Sequence, residues 1–356
     1  MNRPITIIGG GLSGLALGCY LQKNGVSVTI IEQGKYPRHK VCGEFICGVS
    51  DETLDELGIL ELFETAESVK NIKWHIADEQ VLDKKLPHHG TGLSRFLLDD
   101  KLQQLFRSLG GTILQDRVNK SEYLDGHPEG IVWACGKEKH GKGNDAQRWL
   151  GMKMHVTEMD IDGLEMHTGG NSVKGGYVGL SPVEDGRINL CGLFEVNKSV
   201  TGKGADKFHA YLVSMGLVKL ANRLAAATID QDSFSAVAGF SLGHQKILTD
   251  DQPRVLPIGD AAVLIPPFTG NGMSIALESA HLAGQCLLPY CRNVKDADWN
   301  KVLKNYLYLM RRKFRKRLIA ARFIHPFFFH PIGKWSLSSL AKCKLIPFRG
   351  LFYLLR

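Results

Sequence analysis

Cysteine is scarce in this sequence, and the cysteines that are present are not paired along the chain. Eight cysteines among 356 residues are too few for a disulfide scaffold. None stands three positions from another, which disfavours a structural zinc site or a thioredoxin-like redox site. We therefore expect a reducing, cytoplasmic environment.

Long apolar runs are also missing. A transmembrane helix needs about 20 apolar residues in a row, and no stretch of this sequence provides them. A single basic residue, Arg3, precedes a strand-like run at the N-terminus, so we expect no signal peptide. With 44% hydrophobic and 22% charged residues, the composition excludes a disordered chain and an integral membrane bundle.

Acidic residues are absent from the last part of the chain. From Lys301 to Arg356 there are 14 Lys and Arg but no Asp or Glu. Because the whole chain has 44 basic and 36 acidic residues, the first 300 residues carry 30 basic against 36 acidic, a balance of −6. This asymmetry disfavours a nucleic-acid partner and indicates a local role for the basic tail.

The N-terminal residues predict one βαβ unit. A β-branched run from Pro4 to Ile8 leads into Gly9-Gly10-Gly11-Leu12-Ser13-Gly14, and a helical pattern then runs to Asn24-Gly25. A second β-branched run, Val26 to Ile31, ends at Glu32. Strand, tight turn, helix and strand follow one another within about thirty residues.

The spacing Gly-x-Gly-x-x-Gly in this unit is typical of dinucleotide binding. The first glycine permits the tight turn, the second lets a pyrophosphate approach the backbone, and the third lets the helix pack on the strand. The helix N-terminus offers N–H groups to the phosphates, and the acid after the second strand suits a ribose diol rather than a 2′-phosphate. A glycine-rich turn without a ligand is the alternative. The residues predicted to bind the cofactor here are Gly9, Gly11, Leu12, Ser13, Gly14 and Glu32.

A second motif lies far along the chain, where Gly259-Asp260-Ala261-Ala262 is followed by Pro266 to Met273. Together with the first unit it resembles the FAD motifs of aromatic hydroxylases, the group A flavin monooxygenases, and of the geranylgeranyl reductases of the same superfamily. The resemblance implies FAD as cofactor, with Asp260 at the ribityl chain. It implies that the loop 267–273 passes beside the isoalloxazine ring, and adds Gly259, Gly270, Gly272 and Met273 to the predicted cofactor-binding residues.

Two shorter fragments and one strand end fit the same resemblance. Arg38-His39-Lys40-Val41-Cys42-Gly43-Glu44 resembles the loop that touches the flavin, which implies contacts from Arg38, Cys42 and Gly43. Leu93 to Asp99 resembles the segment whose arginine contacts the cofactor, here Arg95. Val118 matches the position whose backbone meets the adenine.

The sequence also departs from the family patterns. Aromatic hydroxylases carry Ala-Asp-Gly where this chain has Ala134-Cys135-Gly136, so both NAD(P)H and a separate flavin reductase stay open as the source of electrons. The Trp-x-Trp-x-Ile-Pro run of flavin-dependent halogenases is absent. The Tyr-x-Trp-x-x-Pro run of archaeal-type geranylgeranyl reductases is echoed only by Tyr177 to Pro182, with Gly179 in the place of the tryptophan.

The predicted fold class is α/β: a doubly wound, Rossmann-like FAD-binding domain with an inserted β-rich substrate domain and a helical basic C-terminal tail. We assign residues 1–70, 92–150 and 250–290 to the FAD-binding domain, 71–91 and 151–249 to the substrate domain, and 291–356 to the tail. His155 and His167 are candidates for neighbouring strands that face a substrate pocket, although a core or surface position is the simpler interpretation.

The resemblance implies that the flavin carries the chemistry. We expect a monooxygenase of secondary metabolism that hydroxylates an apolar or aromatic, polyketide- or isoprenoid-derived substrate through a flavin C4a-hydroperoxide. Two alternatives stay open: a geranylgeranyl-reductase-like enzyme that reduces a C=C bond, and a membrane-associated flavoprotein electron carrier. No catalytic residue is assigned, Cys42 being the one candidate, and no metal site is expected.

The basic tail mixes cationic and aromatic residues. A helix from Asp298 to Arg322 carries two basic clusters, Arg311 to Lys313 and Arg315 to Arg317, and aromatic residues follow it. This composition suits the surface of an anionic membrane, which would make the protein peripheral to the membrane. A helical cap over the substrate cavity is the alternative, and the two are compatible.

Overall fold

Two β-sheets organise the chain in the computed structural model, which describes residues 2–119, 123, 125, 129–136, 149–170, 176–240, 254–263, 270–294, 297–329, 331–343 and 345–355. The first sheet is parallel and consists of β1 (Ile5–Ile8), β2 (Val28–Ile31), β6 (Thr112–Leu114), β7 (Ile131–Trp133) and β13 (Leu256–Pro257). Its order is β13-β7-β1-β2-β6. Short apolar runs form these strands because helices cover both faces of such a sheet.

Four helices surround the first sheet: α1 (Leu12–Lys23), α2 (Asp51–Leu57), α3 (Arg95–Ser108) and α6 (Gly272–Cys291). The predicted βαβ unit is confirmed as β1, α1 and β2, with Ile5 opposite Val28. Ser50, followed by the acidic residues Asp51 and Glu52, predicts a helix start, and this is confirmed, because the Ser50 hydroxyl accepts a hydrogen bond from the Thr53 N–H at 3.3 Å. The residues from Thr112 to Val118 predict a strand, but the strand is shorter and ends at Leu114.

The second sheet consists of β3 (Phe45–Ile46), β4 (Glu67–Ile76), β5 (Glu79–Gly92), β8 (Trp149–Thr157), β9 (Leu164–Thr168), β10 (Gly176–Val183), β11 (Arg187–Glu195) and β12 (Thr228–Phe240). Its order is β12-β8-β11-β10-β9-β4-β5-β3. The residues Glu184-Asp185-Gly186 predict a turn, and the structure confirms it between β10 and β11. Asp185 and Gly186 both have positive φ, 61° and 67°, as a hairpin turn of type I′ requires.

Alternate residues of the second sheet point to opposite faces. Met154, Val178 and Leu190 lie on the outer face, in an apolar cluster with α4 (Gly204–Ser214) and α5 (Val218–Ala226). The strand neighbours of these residues lie on the other, inner face, toward the loop that begins at Cys42. The division of the chain into a cofactor domain and a substrate domain stays a prediction.

The basic tail forms α7 (Trp299–Phe329), α8 (Pro331–Lys342) and α9 (Phe348–Leu354). The helix predicted to end at Arg322 therefore continues to Phe329. Helix α7 buries Tyr306 and Phe314 in the core of the first sheet, whereas Leu337 of α8 is buried in an apolar cluster on the inner face of the second sheet. Among the described residues, no helix is both long and apolar enough to cross a bilayer.

Candidate functional site

The first glycine motif forms a tight turn between β1 and α1. Gly9 has a φ of +107°, and a Cβ atom there would lie 2.5 Å from the carbonyl oxygen of Ala134. A Cβ atom on Gly14 would lie 2.1 Å from the Gly9 carbonyl oxygen, so both positions exclude any side chain. Gly11 differs, because a Cβ atom there would meet only the Lys40 Nζ atom, at 4.0 Å. The open side of the turn therefore lies at Gly11, where a pyrophosphate would approach.

Helix α1 begins at Leu12 and Ser13 with no side chain capping its N-terminus. Its first N–H groups lack partners within the helix, so they are available to a phosphate group. Lys40 adds a positive charge beside Gly11. These features fit the diphosphate of FAD. Lys40 is missing from the residues predicted to bind the cofactor, although a basic residue near a glycine-rich turn was the available signal.

Glu32 lies at the end of β2, as predicted, and both of its carboxylate oxygens accept hydrogen bonds. Oε2 accepts from the Gly10 N–H at 2.8 Å, and Oε1 accepts from the Gly34 N–H and from Arg38, each at 2.8 Å. Burial alone would raise the pKa of Glu32, but these N–H groups and the Arg38 guanidinium outweigh burial and lower it. The structure thus places Arg38 beside Glu32, the acid that is predicted to bind the ribose, whereas the resemblance implied that Arg38 touches the flavin.

The late motif packs directly against the first. Gly259 has a φ of +60°, and a Cβ atom there would lie 2.6 Å from the Ser13 hydroxyl oxygen. The Gly259 N–H donates to the Ser279 hydroxyl of α6 at 2.9 Å. Asp260 follows on an exposed 3-10 turn at this junction. The fold thereby brings together two motifs that lie about 245 residues apart in the sequence.

The N-terminus of α6 contacts strand β3 and Cys47, which directly follow the Cys42 loop. A Cβ atom on Gly270, whose φ is +66°, would lie 3.0 Å from the Phe45 ring, and the Cys47 N–H donates to the Ser274 hydroxyl at 3.2 Å. Gly272 begins the helix, which no side chain caps, and Met273 is buried. Residues 267–269 of the predicted flavin loop lie outside the described residues.

Val118 lies beyond the end of β6 and packs against an apolar cluster that includes Ile8 and Ile31, at the ends of β1 and β2. This position is compatible with the predicted contact of its backbone with an adenine. The glycine turn, Glu32 and Val118 thus surround the carboxyl ends of the parallel strands, where open α/β sheets bind ligands.

The Cys42 loop is held against the inner face of the second sheet. The Asn189 amide of β11 donates to the Cys42 carbonyl at 3.0 Å. Glu44 has a positive φ of 51° and a fully buried side chain. Its carboxylate accepts a hydrogen bond from the His155 Nε2 atom at 2.6 Å and lies 3.2 Å from the Lys153 Nζ atom. Gly43, between Cys42 and Glu44, is exposed.

This buried ion pair continues toward the surface. Lys153 is fully buried and donates from Nζ to the Nδ1 atom of His39 at 3.0 Å. Burial and the charge of Lys153 lower the pKa of His39 to about 4, so its ring is neutral at pH 7 and accepts this bond. Burial alone would raise the pKa of Glu44, but the His155 hydrogen bond and the Lys153 charge lower it. Glu44 is therefore a carboxylate at neutral pH.

His39 borders a pocket of about 480 Å³ between this loop and β12. The residues that line the pocket are Pro37, Arg38, His39, Phe96, Arg187, Asp230, Asp232 and Ser235. His39 stacks on Phe96 there, with ring centres 4.4 Å apart. No local sequence pattern indicates this pocket, because its residues come from four separate segments.

Arg95, the first residue of α3, lies beside the Cys42 loop. Its guanidinium binds the carboxylate of Asp99 through two hydrogen bonds of 2.8 Å, and Lys40 binds the same carboxylate at 2.8 Å. Burial alone would raise the pKa of Asp99, but the positive charges of Arg95 and Lys40 outweigh burial and lower this pKa. Two cations share one anion, so this cluster is positive where an anionic cofactor would lie. Arg95 is close enough to Cys42 to affect its pKa.

The inner face of the second sheet supplies an apolar wall. Trp74, Met166, Tyr177 and Leu193 form a buried cluster there together with Leu337 of α8. Cys191 and Gly179 are opposite each other on the same face. Burial raises the pKa of Cys42, Cys191 and Tyr177. A thiolate at Cys42 would raise the pKa of Cys191 and Tyr177 further, and a thiolate at Cys191 would raise the pKa of Tyr177. All three groups therefore keep their protons at neutral pH.

The two strand histidines do not share a pocket. His155 lies in β8 and His167 in β9, and β11 and β10 separate these strands. The alternative that they lie in neighbouring strands is therefore wrong, whereas the simpler interpretation of a core position is confirmed, because both side chains are buried. His155 faces Glu44 on the inner face, whereas His167 lies on the outer face beside His75 and Glu165. Arg223 of α5 binds the Glu165 carboxylate at 2.7 Å, which makes this outer group an ion-paired cluster.

Comparisons with known proteins agree with this geometry. A family model for an NAD(P)-binding Rossmann-like domain matches residues 7–39. The chain is 24% identical over 349 residues to conditioned medium factor receptor 1 of Dictyostelium discoideum, covering 85% of this chain and 66% of that protein. The chain thus spans just under two thirds of the length of that relative.

Two further curated relatives are reductases. Digeranylgeranylglycerophospholipid reductase 2 of Methanothermobacter thermautotrophicus is 23% identical over 316 residues, covering 80% of this chain and 77% of that protein. Menaquinone reductase of Mycobacterium tuberculosis is 20% identical over 324 residues, covering 80% and 76%.

Three solved structures share the fold along almost the entire chain. A flavin-dependent brominase superposes with a TM-score of 0.73 at 17% identity, covering 100% of this chain and 93% of that chain. The p-nitrophenol 4-monooxygenase of Pseudomonas putida gives 0.72 at 15%, covering 99% and 96%. A geranylgeranyl bacteriochlorophyll reductase-like protein of Thermoplasma acidophilum gives 0.68 at 16%, covering 96% and 91%. The predicted fold class and the predicted resemblance are confirmed: the chain has the fold of FAD-binding flavoproteins.

Proposed function

We propose that this chain is an FAD-dependent oxidoreductase that reduces a C=C bond in the isoprenoid chain of a lipid. The proposal of FAD rests on the open side of the turn at Gly11, the uncapped start of α1 and the charge of Lys40. The observation that carries the reductase proposal is the group of protonated residues Cys42, Cys191 and Tyr177 beside an apolar wall.

The reaction requires a hydride for one carbon of the double bond and a proton for the other, and FAD supplies the hydride when it is bound and reduced. Cys42 holds a proton on Sγ because burial raises the pKa of its thiol. Asn189 and Glu44 fix the loop that carries this thiol. We assign the proton transfer to Cys42, since its loop leads into strand β3, and Cys47 directly after this strand binds the N-terminal turn of α6.

The remaining elements orient the substrate and exclude water. The apolar wall around Trp74 and Tyr177 binds the isoprenoid chain, and Leu337 of α8 covers it. The positive cluster of Arg95, Lys40 and Asp99 and the N-terminus of α6 favour negative charge at the cofactor. Names of two relatives, a digeranylgeranylglycerophospholipid reductase and a menaquinone reductase, support an isoprenoid lipid as substrate.

An anaerobic turnover assay tests this proposal. The holoprotein, reduced with dithionite, is mixed with a geranylgeranyl glycerophospholipid or with menaquinone, and the lipid is analysed by mass spectrometry. We expect each reduced bond to add two hydrogens without oxygen. Replacing dithionite with NADH or NADPH tests whether either nucleotide reduces the flavin directly.

A monooxygenase is the second candidate, because the fold superposes on a p-nitrophenol 4-monooxygenase with a TM-score of 0.72, compared with 0.68 for the reductase-like protein. The same assay in air separates the two candidates. A product that gains oxygen atoms from labelled O₂, with no product under anaerobic conditions, would contradict the reductase proposal and support the monooxygenase.

A further inference from the structure

The tail helices expose an unusual set of side chains. Four aromatic residues are exposed among the described residues, and all four lie in the tail: Tyr308, Phe323, Trp335 and Tyr353. Phe323 is 71% exposed and Trp335 is 61% exposed. Ile332 and Leu345 of the same region are also more than half exposed. Large apolar side chains concentrated in one part of a surface mark an interaction site.

The charge around these residues has one sign. The last 56 residues contain 14 Lys and Arg and no Asp or Glu. Arg317 and Lys313 both bind the buried Glu278 carboxylate of α6, so these two cations face the protein. Lys301 pairs with Asp298. Arg311, Arg312, Arg315 and Lys316 are exposed on the outer side of α7. The outer surface of the tail is therefore both apolar and positive.

The same helices have a second apolar side that faces the protein. Leu337 of α8 is buried in the cluster of Trp74, Tyr177 and Leu193. Phe348 and Phe352 of α9 pack against the cluster that contains Phe45 and Cys47, beside the Cys42 loop. The tail therefore separates the apolar wall of the inner face from the exterior and is apolar on both sides.

We infer that the tail helices α7 to α9 dock on an anionic lipid bilayer and that the lipid substrate enters from the bilayer beneath them. Aromatic side chains favour the headgroup region, and arginine and lysine bind anionic headgroups. A protein partner would need acidic groups that match the same cations, whereas the surface of an anionic bilayer accommodates both the cations and the exposed aromatic side chains. The entry route rests on the proposed lipid substrate, whereas the docking does not.

Vesicle binding by the full-length holoprotein tests the docking. The wild-type protein is sedimented with vesicles of phosphatidylcholine alone and with vesicles that also contain phosphatidylglycerol. We expect binding to the anionic vesicles that decreases as salt is added. The variant F323S/W335S and the variant R311Q/R312Q/R315Q/K316Q should each bind at least tenfold more weakly.

Control variants change exposed residues outside the tail. V213S/V218S removes two half-exposed apolar side chains from α4 and α5, and K70Q/K198Q/K203Q/K219Q removes four exposed charges outside the tail. Both controls should bind vesicles like the wild type. The docking would be overturned if the wild type ignores anionic vesicles at low salt, if the controls lose as much binding as the tail variants, or if the tail surface is buried in a stable dimer.

Turnover with two substrate presentations tests the entry route. F323S/W335S should lose at least tenfold activity on lipid embedded in vesicles and retain activity on the same lipid in detergent micelles. Equal losses in both presentations would contradict entry from the bilayer. If vesicle binding is intact but neither presentation gives a product, the proposed reaction fails while the docking stands.

Discussion

Gly11 shows at the scale of one residue how an absent side chain can define a site. Gly9 and Gly14 are required for folding, because a Cβ atom at either would meet backbone atoms at 2.5 Å or less. Gly11 meets only Lys40 Nζ at 4.0 Å. A substitution at Gly11 therefore separates cofactor binding from folding, which a substitution at the other two glycines cannot do.

We expect Gly11→Ala to fold like the wild type and to lose most of its FAD, at least a hundredfold in affinity, because the new methyl group occupies the path of the diphosphate. Lys40→Met should weaken FAD binding about tenfold by removing a charge beside the phosphates. FAD titration monitored by flavin fluorescence measures both effects, and melting of the apoprotein is the control. Unchanged FAD affinity in Gly11→Ala would refute the assignment of the site.

A substitution at Cys42 tests the proposed proton transfer separately from FAD binding. Under the proposed function, Cys42→Ala removes the proton donor, and the rate of lipid reduction should fall by about 10² or more, the range of general acid catalysis. FAD content should not change. Cys191→Ala is the matched control on the same inner face, and it should lose less than tenfold. A loss of less than tenfold in Cys42→Ala would contradict its role in proton transfer.

At the scale of elements, the buried ion pair joins the Cys42 loop to strand β8. Glu44→Gln leaves Lys153 buried without its counter-charge, so we expect a loss of about 3–5 kcal/mol in the free energy of unfolding. The double variant E44Q/K153M removes both charges and should recover most of this loss. Denaturant unfolding of the wild type, E44Q, K153M and the double variant measures the coupling between the two charges. Strictly additive losses of stability would contradict this coupling.

The pH dependence of the same pair follows from the lowered pKa of Glu44. Because the unfolded carboxyl binds its proton at a higher pH than the folded one, the contribution of Glu44 to stability is complete above the unfolded pKa of about 4.3. It is lost as the pH falls through the lower folded pKa. Melting temperatures between pH 7 and pH 3 should therefore decrease more steeply for the wild type than for the E44Q/K153M variant.

Gly179 determines the depth of the apolar wall between β10 and β11. A Cβ atom there would contact only the Met166 sulfur at 3.6 Å, an ordinary contact, so Gly179→Ala should be tolerated. Gly179→Trp should project a large side chain along the inner face and reduce turnover of a long isoprenoid at least tenfold, with FAD content unchanged. Competition between long and short isoprenoid lipids measures this, and equal losses for both lengths would contradict a role in chain length.

The elements also show which features a sequence can predict. The βαβ unit, the helix that begins after Asn271 and the turn at Asp185-Gly186 depend on local residue types, and the sequence predicts each of them. The buried positions of His155 and His167 agree with the simpler interpretation, but the two strands between them could not be predicted, because local patterns do not encode the order of strands in the second sheet. The Glu44–Lys153 pair was missed for the same reason, since its members lie far apart in the chain.

At the scale of the whole molecule, the candidate site depends on contacts between distant segments. The Ser13–Gly259 contact joins the two motifs, and the Cys47–Ser274 bond joins the second sheet to α6. The tail adds a third connection, because α7 packs on the first sheet while α8 covers the second. A ligand that spans the glycine turn and the Cys42 loop would therefore connect both sheets.

This arrangement predicts how flavin fragments stabilise the protein. In the predicted binding mode FAD would reach from Gly11 to the N-terminus of α6, so it should raise the melting temperature, by the equivalent of about 2.7 kcal/mol at a hundredfold excess over its dissociation constant. ADP would bind only at the glycine turn and FMN has no adenosine half, so each should stabilise much less at equal concentration. Differential scanning calorimetry of the apoprotein with each ligand measures the difference. If FMN stabilised the protein as much as FAD, the glycine turn would not be the site of the diphosphate, because FMN lacks the second phosphate and the adenosine that the turn and Glu32 are expected to bind.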